Sequence, residues 1–116
     1  MLKAALSFDY FDRLYAQSSE QYIEMLDLYA HEYRLYLKGI DEALARNDEP
    51  AFRKIKHKII YSLHLLELSE LHHNMEVLAS QFAQMDGFER LKARHAYLSA
   101  FEFILEAITR QRTQIA

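Results

Sequence analysis

The residue of this chain best placed to do chemistry is His57, in the run Phe52-Arg53-Lys54-Ile55-Lys56-His57-Lys58-Ile59-Ile60-Tyr61. Phe52, Ile55, Ile59 and Leu66 recur at helical spacing and define a stripe that faces a core. Each residue of an α-helix turns by about 100°. His57 stands two residues from both Ile55 and Ile59, so its side chain is expected on the opposite, solvent-facing side. Arg53 and Lys54 lie one turn before it, and Lys58 follows it directly. An exposed imidazole among cations can take a phosphoryl group on a ring nitrogen, or form the centre of a docking surface. A histidine imidazole ordinarily titrates near about 6.5, so much of the neutral, nucleophilic form is present at physiological pH.

Two further residues extend this face. Tyr61 and His64 follow His57 at four and seven residues and stack on the same side of the helix. Ile60 is offset from them by roughly 60°. A side that is half apolar suits docking by another protein better than free solvation. The plainer alternative is a slightly greasy helix surface covered by the short lead-in helix. Arg53, Lys54, Lys56 and Lys58 spread around the helix as a positive collar, which would speed encounter with an acidic partner.

Other histidines are weaker candidates. Glu70-Leu71-His72-His73 holds one Glu-x-x-His spacing, whereas di-iron bundles use two such motifs and two further glutamates. His73 lies two residues from both Leu71 and Met75, off the apolar stripe. The pair His72 and Glu76 is equally isolated, so neither a metal nor a cofactor is expected. His95 falls in the apolar stripe of the last segment and is expected to be partly buried and hydrogen-bonded. His31 is expected at the surface or an edge. Tyr22, Tyr29, Tyr33 and Tyr36 recur so that their rings can line an interior with hydroxyls at its rim.

Long helices must position these residues. A short lead-in helix is expected over residues 8–16. Ser18-Ser19-Glu20-Gln21 reads as a capping box for a long helix whose seam runs through Ile23, Leu26, Ala30, Tyr33, Leu37, Ile40 and Leu44. Gly39 interrupts that seam and marks a bend or a close approach. Asn47-Asp48-Glu49-Pro50 ends this helix and starts the next, with Asp48 as cap and Pro50 in the first turn. The second long helix is expected over residues 49–67. A third carries Leu68, Leu71, Met75, Leu78, Phe82 and Met85, with Ser69 as N-cap; one continuous helix over residues 49–84 is the competing reading. Met85-Asp86-Gly87 forms a turn. The last helix starts at Phe88, carries Leu91, His95, Leu98, Phe101, Leu105 and Ile108 as its apolar stripe, and frays from Arg110 onward. Short connections between long helices predict an all-α, up-down-up-down antiparallel four-helix bundle with a short N-terminal helix.

Composition supports this and narrows the function. The chain has 116 residues, 51% of them hydrophobic and 27% charged, which suits one domain spanning residues 1–116. With 2 Gly and 1 Pro there is little material for the turns of a β-rich fold. The chain contains no Cys, which rules out disulfides and zinc-thiolate sites. A net charge of −3 argues against nucleic acid as a partner. No apolar run approaches the roughly 20 residues that cross a membrane, and residues 1–8 hold too little apolar sequence for a signal peptide. A cytoplasmic protein is expected.

The run Ile40-Asp41-Glu42-Ala43-Leu44-Ala45-Arg46-Asn47-Asp48, then Phe52, then His57 with Ile59 two residues on, resembles a histidine-containing phosphotransfer (HPt) domain. The resemblance covers most of the chain: a short first helix near Phe8-Asp9, a long helix ending in this stretch, the histidine helix and two closing helices. It implies that His57 accepts a phosphoryl group from the aspartate of a response-regulator receiver domain and passes it to another, with a hybrid histidine kinase as a further candidate partner. Arg53, Lys54 and Lys58 would then stabilise the phosphoryl group, and Ile60, Tyr61 and His64 would meet the partner. The receiver would supply the metal ion and acidic pocket, so the chain would be a carrier and not a self-sufficient enzyme. The family motif is His-x-hydrophobic-Lys-Gly; here Ile60 replaces the Lys and Tyr61 the Gly, and Glu67 stands where a Gly is expected near the helix end. Two other classes therefore stay open: a docking module that binds a receiver or kinase without carrying phosphate, and a structural helical dimer. The oligomeric state is open on sequence grounds.

Overall fold

The computed structural model describes residue 2 and residues 4–116. The reading of residues 1–8 as holding too little apolar sequence for a signal peptide includes Met1 and Lys3, which lie outside the described residues. Among the described residues five α-helices follow in order: α1 (Asp9–Leu14), α2 (Ser19–Ala45), α3 (Glu49–Leu65), α4 (Ser69–Gln81) and α5 (Gly87–Ile115). A 3₁₀ turn over Phe82–Gln84 follows α4. The described residues contain no strand.

Local chemistry explains most of the boundaries. The Ser18 side chain accepts from the Gln21 amide at 3.2 Å and starts α2. Asp48 accepts from the Ala51 amide at 3.1 Å and starts α3, with Pro50 in the first turn. At α5 a full capping box forms: Asp86 accepts from the Glu89 amide at 2.8 Å, and the Glu89 carboxylate accepts from the Asp86 amide at 3.2 Å. Ser69 is not an N-cap. Leu68 holds that position without a side-chain hydrogen bond, and Ser69 is the first helical residue.

Both α2 and α3 end in the same way. Asn47 and Glu67 adopt left-handed backbone, with φ of 55° and 57°. The amides one residue further on, Asp48 and Leu68, bond back to Ala43 and Leu63 at 2.8 Å each. This six-residue closure satisfies carbonyls that the helix leaves open. It also explains the break between α3 and α4 in a stretch with neither Gly nor Pro. Asparagine tolerates left-handed backbone well; glutamate does not. Glu67→Gly is therefore expected to raise folding stability by about 0.5–1 kcal/mol, measured as a higher urea midpoint at unchanged slope.

The buried side chains of the helices form one core. Phe11 anchors α1 on α2, 5.3 Å edge-on from the Tyr29 ring and 6.3 Å from Tyr22. Midway along the molecule Tyr33 packs 5.7 Å from Phe101. Towards the far end Phe52 meets Phe82 at 5.6 Å and Tyr97 at 6.3 Å. Gly39 lets α2 approach α3 closely, since a Cβ there would lie 2.6 Å from the Cδ1 of Ile55.

Pairings between helices run in opposite sequence order. Between α2 and α5, Asp27 meets Arg112 and Asp41 meets Arg94. Between α2 and α3, Tyr33 meets Ser62 and Gly39 meets Ile55. Between α3 and α4, Arg53 reaches Ala79 and Lys56 reaches Glu76.

The last helix differs most from its sequence pattern. Its buried face runs through Tyr97, Ala100, Phe101, Ile104 and Ile108. Leu91 and Leu98, expected inside, are 45% and 42% exposed. His95 is likewise exposed rather than partly buried. Phe101 and Ile108 belong to both patterns, but the seam passes through Tyr97 instead of Leu98, a rotation of about 100°. Tyr97 packs its ring against both Phe52 and Phe101. The helix also continues past Arg110 to Ile115 instead of fraying. Gln111 donates to the Tyr22 hydroxyl and to Asp12, and Arg112 forms a forked pair with Asp27.

Candidate functional site

His57 projects from the middle of α3. Phe52, Ile59, Leu63 and Leu66 bury the opposite face, and His57 is exposed with no hydrogen-bond partner among the described residues. The geometry follows directly from the helical repeat: the face with the imidazole is the one the core does not use. Tyr61, one turn on, is 69% exposed, and His64 is exposed one turn beyond it. Ile60 is half-buried beside them.

The cations around His57 differ in how free they are. Arg53 is engaged. Its Nη2 donates to the Ala79 carbonyl at 3.0 Å, and its Nε lies 3.4 Å from Glu49. It braces α3 against the end of α4, where helix carbonyls lack internal partners. Lys56 is also engaged, with its Nζ 3.3 Å from the Oε1 of Glu76. Lys54 and Lys58 are exposed and pair with no carboxylate among the described residues. They are the cations available to an incoming anion.

A polar seam between α3 and α4 flanks this face; the sequence offered its His72–Glu76 pair only as an isolated one, and the structure joins Lys56 to it. Glu76 accepts from Lys56, and His72 approaches the same carboxylate oxygen at 3.2 Å. The His72 nitrogen is poorly aligned for a hydrogen bond despite that distance, and is left without a good partner. The hydrogen bond from Lys56, then its charge, hold the Glu76 carboxyl below the usual carboxylate range. His64 stacks obliquely on His72, with ring centroids 5.7 Å apart. Both histidines border a cleft of about 270 Å³ at the α3–α4 turn. Among the described residues no three His, Asp or Glu side chains converge as a metal site requires. His31 and His73 are exposed and separate from this seam.

The tyrosines act in the interior. Tyr22, Tyr29 and Tyr33 are buried and Tyr36 is half-buried. The Ser62 hydroxyl donates to the Ile59 carbonyl at 2.9 Å, which leaves the Tyr33 hydroxyl to donate to Ser62 at 2.9 Å. Burial raises the Tyr33 phenol above its ordinary range. Burial likewise pushes Tyr29 up to about 12, with the charge of Glu32 adding to it. These hydroxyls therefore stay protonated and serve packing. Tyr97, also buried, has no partner for its hydroxyl among the described residues.

No local signal along the chain marks the interhelical partners, either Lys56 with Glu76 in the seam or Asp41 with Arg94. Lys56 and Glu76 are 20 residues apart, Asp41 and Arg94 are 53 apart, and only helix packing joins them. The forked hydrogen bond from Arg94, at 2.8 and 3.2 Å, is the first cause that holds Asp41 below the usual carboxylate range.

No helix of the described residues is long and apolar enough to cross a membrane. No family model matches the chain, and no curated protein or solved structure does either.

Proposed function

We propose that this chain is an up-down-up-down, HPt-like four-helix bundle that carries a phosphoryl group on His57 in a cytoplasmic two-component phosphorelay. One observation carries the reading: the His57 imidazole stands exposed at the middle of α3, opposite the core, near Lys54 and Lys58, which pair with no carboxylate among the described residues. The opposite-order pairings between α2, α3, α4 and α5 support the bundle topology, and the His57 motif supports the family.

The chemistry asks little of the carrier. A neutral ring nitrogen attacks the phosphorus of a receiver's aspartyl phosphate in line with the departing carboxylate oxygen. The N–P bond forms as the O–P bond breaks, the carboxylate leaves with the electron pair, and the ring proton stays on the other nitrogen. Lys54 and Lys58 offset the phosphoryl charge, and Arg53 joins them where its guanidinium has donors to spare. Ile60, Tyr61 and His64 form the surface that meets the receiver or a hybrid histidine kinase.

A second reading is a docking module that binds a receiver and carries no phosphate. The bulk of Tyr61 favours it, because that ring stands one turn from His57 at 69% exposure. The test is incubation of the purified protein with phosphorylated receiver domains from its own source. Acid-labile, base-stable label is expected on the wild type and absent from His57→Gln. Absence of label from folded wild type, with receiver binding retained, sinks the carrier reading and leaves the docking module.

A further inference from the structure

The rotation of α5 has a second consequence. Leu91 and Leu98 are turned out of the core and, with Leu37, floor a groove of about 420 Å³ between α2 and α5. Its lining runs over residues 34–41 of α2 and 91–98 of α5, so it is two helical turns long, roughly 10 Å. None of its lining residues belongs to α3, so it is a different surface from that of His57.

The charge around the groove is one-sided. Arg34, Lys38 and Arg94 line it against a single carboxylate, Asp41, in a chain whose net charge is −3. Asp41 is already taken, since Arg94 grips it through two hydrogen bonds. Arg34 and Lys38 are exposed, stand four residues apart on one edge, and pair with no carboxylate among the described residues. A ligand must therefore bring apolar anchors for the floor and negative charge for the α2 edge.

We propose that the α2–α5 groove binds an acidic amphipathic helix of a partner protein. Apolar side chains at i, i+3 or i+4, and i+7 match a groove two turns long. Carboxylates one turn apart on the flank facing α2 would pair with Arg34 and Lys38, and would set orientation and choice of partner. A second copy of this chain is the competing occupant, but the unpaired cations ask for an acidic face.

The test uses the full chain and a fluorescent helical peptide of about 14 residues, with leucines at i, i+3 and i+7 and glutamates along one flank. Its twin carries lysine at every glutamate. The glutamate peptide is expected to bind at least about tenfold more tightly than its twin. Leu98→Glu, at an exposed position, is expected to weaken it at least about tenfold with helicity unchanged. Arg34→Glu combined with Lys38→Glu is expected to reverse the preference between the two peptides. His57→Gln is expected to bind like wild type, which separates this proposal from phosphotransfer. Equal binding of the two peptides, or binding indifferent to Leu98→Glu, overturns the proposal. A dimer seen by light scattering that Leu98→Glu dissociates also overturns it, and assigns the groove to a second copy.

Discussion

Phe52→Ala is expected to cost about 3–5 kcal/mol of folding free energy, the largest loss foreseen for a single side chain here. The ring is fully buried and touches α4's end through Phe82 and α5 through Tyr97. Removing it takes away the transfer energy of a whole aromatic side chain and leaves a cavity between three helices that cannot all collapse inward together. Domains of this size are stable by only about 5–15 kcal/mol, so a third or more of the total can be lost. Thermal melting should show a midpoint lower by at least about 10 °C. Phe88→Ala is the control: Phe88 is 69% exposed, and its loss should stay within about 0.5 kcal/mol. A Phe52→Ala loss under about 1 kcal/mol would mean that the face of α3 opposite His57 is not the core face, which would undo the argument for an outward imidazole.

The second large effect concerns the phosphoryl step. If His57 carries a phosphoryl group as proposed, introducing the HPt motif with Ile60→Lys and Tyr61→Gly together is expected to speed transfer to His57 at least about tenfold, equivalent to about 1.4 kcal/mol of barrier. Two causes combine. Removal of the exposed Tyr61 ring lets a receiver come closer to the imidazole, and closer approach puts the attacking nitrogen in line more often. The half-buried position of Ile60 suits a lysine, whose stem can lie along the helix while its ammonium reaches solvent near the phosphoryl group. Glycine in the helix lowers stability by up to about 1 kcal/mol, so folding is monitored in parallel. Rapid-quench measurement of label transfer reads the rate. An unchanged rate in the folded variant would show that Tyr61 does not obstruct the site, and would remove the main support for a docking module without phosphate. Single variants divide the effect between access and charge.

The two predictions draw on opposite faces of one helix, and that face assignment could be read directly from the sequence. In α3 the spacing of Phe52, Ile59 and Leu66 leaves little freedom, because three large apolar residues lie within one narrow stripe. The same holds for the caps at Ser18 and Asp48, where the chemistry is confined to three or four neighbouring residues. The α3–α4 break was harder to read. Its signal is backbone closure around Glu67, a residue that normally avoids the conformation it adopts there.

The last helix shows where sequence pattern stops deciding. Leu91, His95 and Leu98 make as good a stripe as Tyr97, Phe101 and Ile104, since α5 is apolar on more than one side. Only packing against the other helices chooses between them, and it chose the face that places Tyr97 against Phe52 and Phe101. The same choice put Leu91 and Leu98 outside and opened the α2–α5 groove. It also brought Asp41 to Arg94 and Asp27 to Arg112, pairs separated by 53 and 85 residues. By itself the sequence determined the helical class, the helix starts with strong caps, and the outward direction of His57, because each depends on residues within a few turns of one another. Tertiary structure decided the rotation of α5, which cations are free and which are engaged, and the existence of a second surface. Those features arise from packing between helices distant in the chain, where the burial of one large ring outweighs the local periodicity of its neighbours.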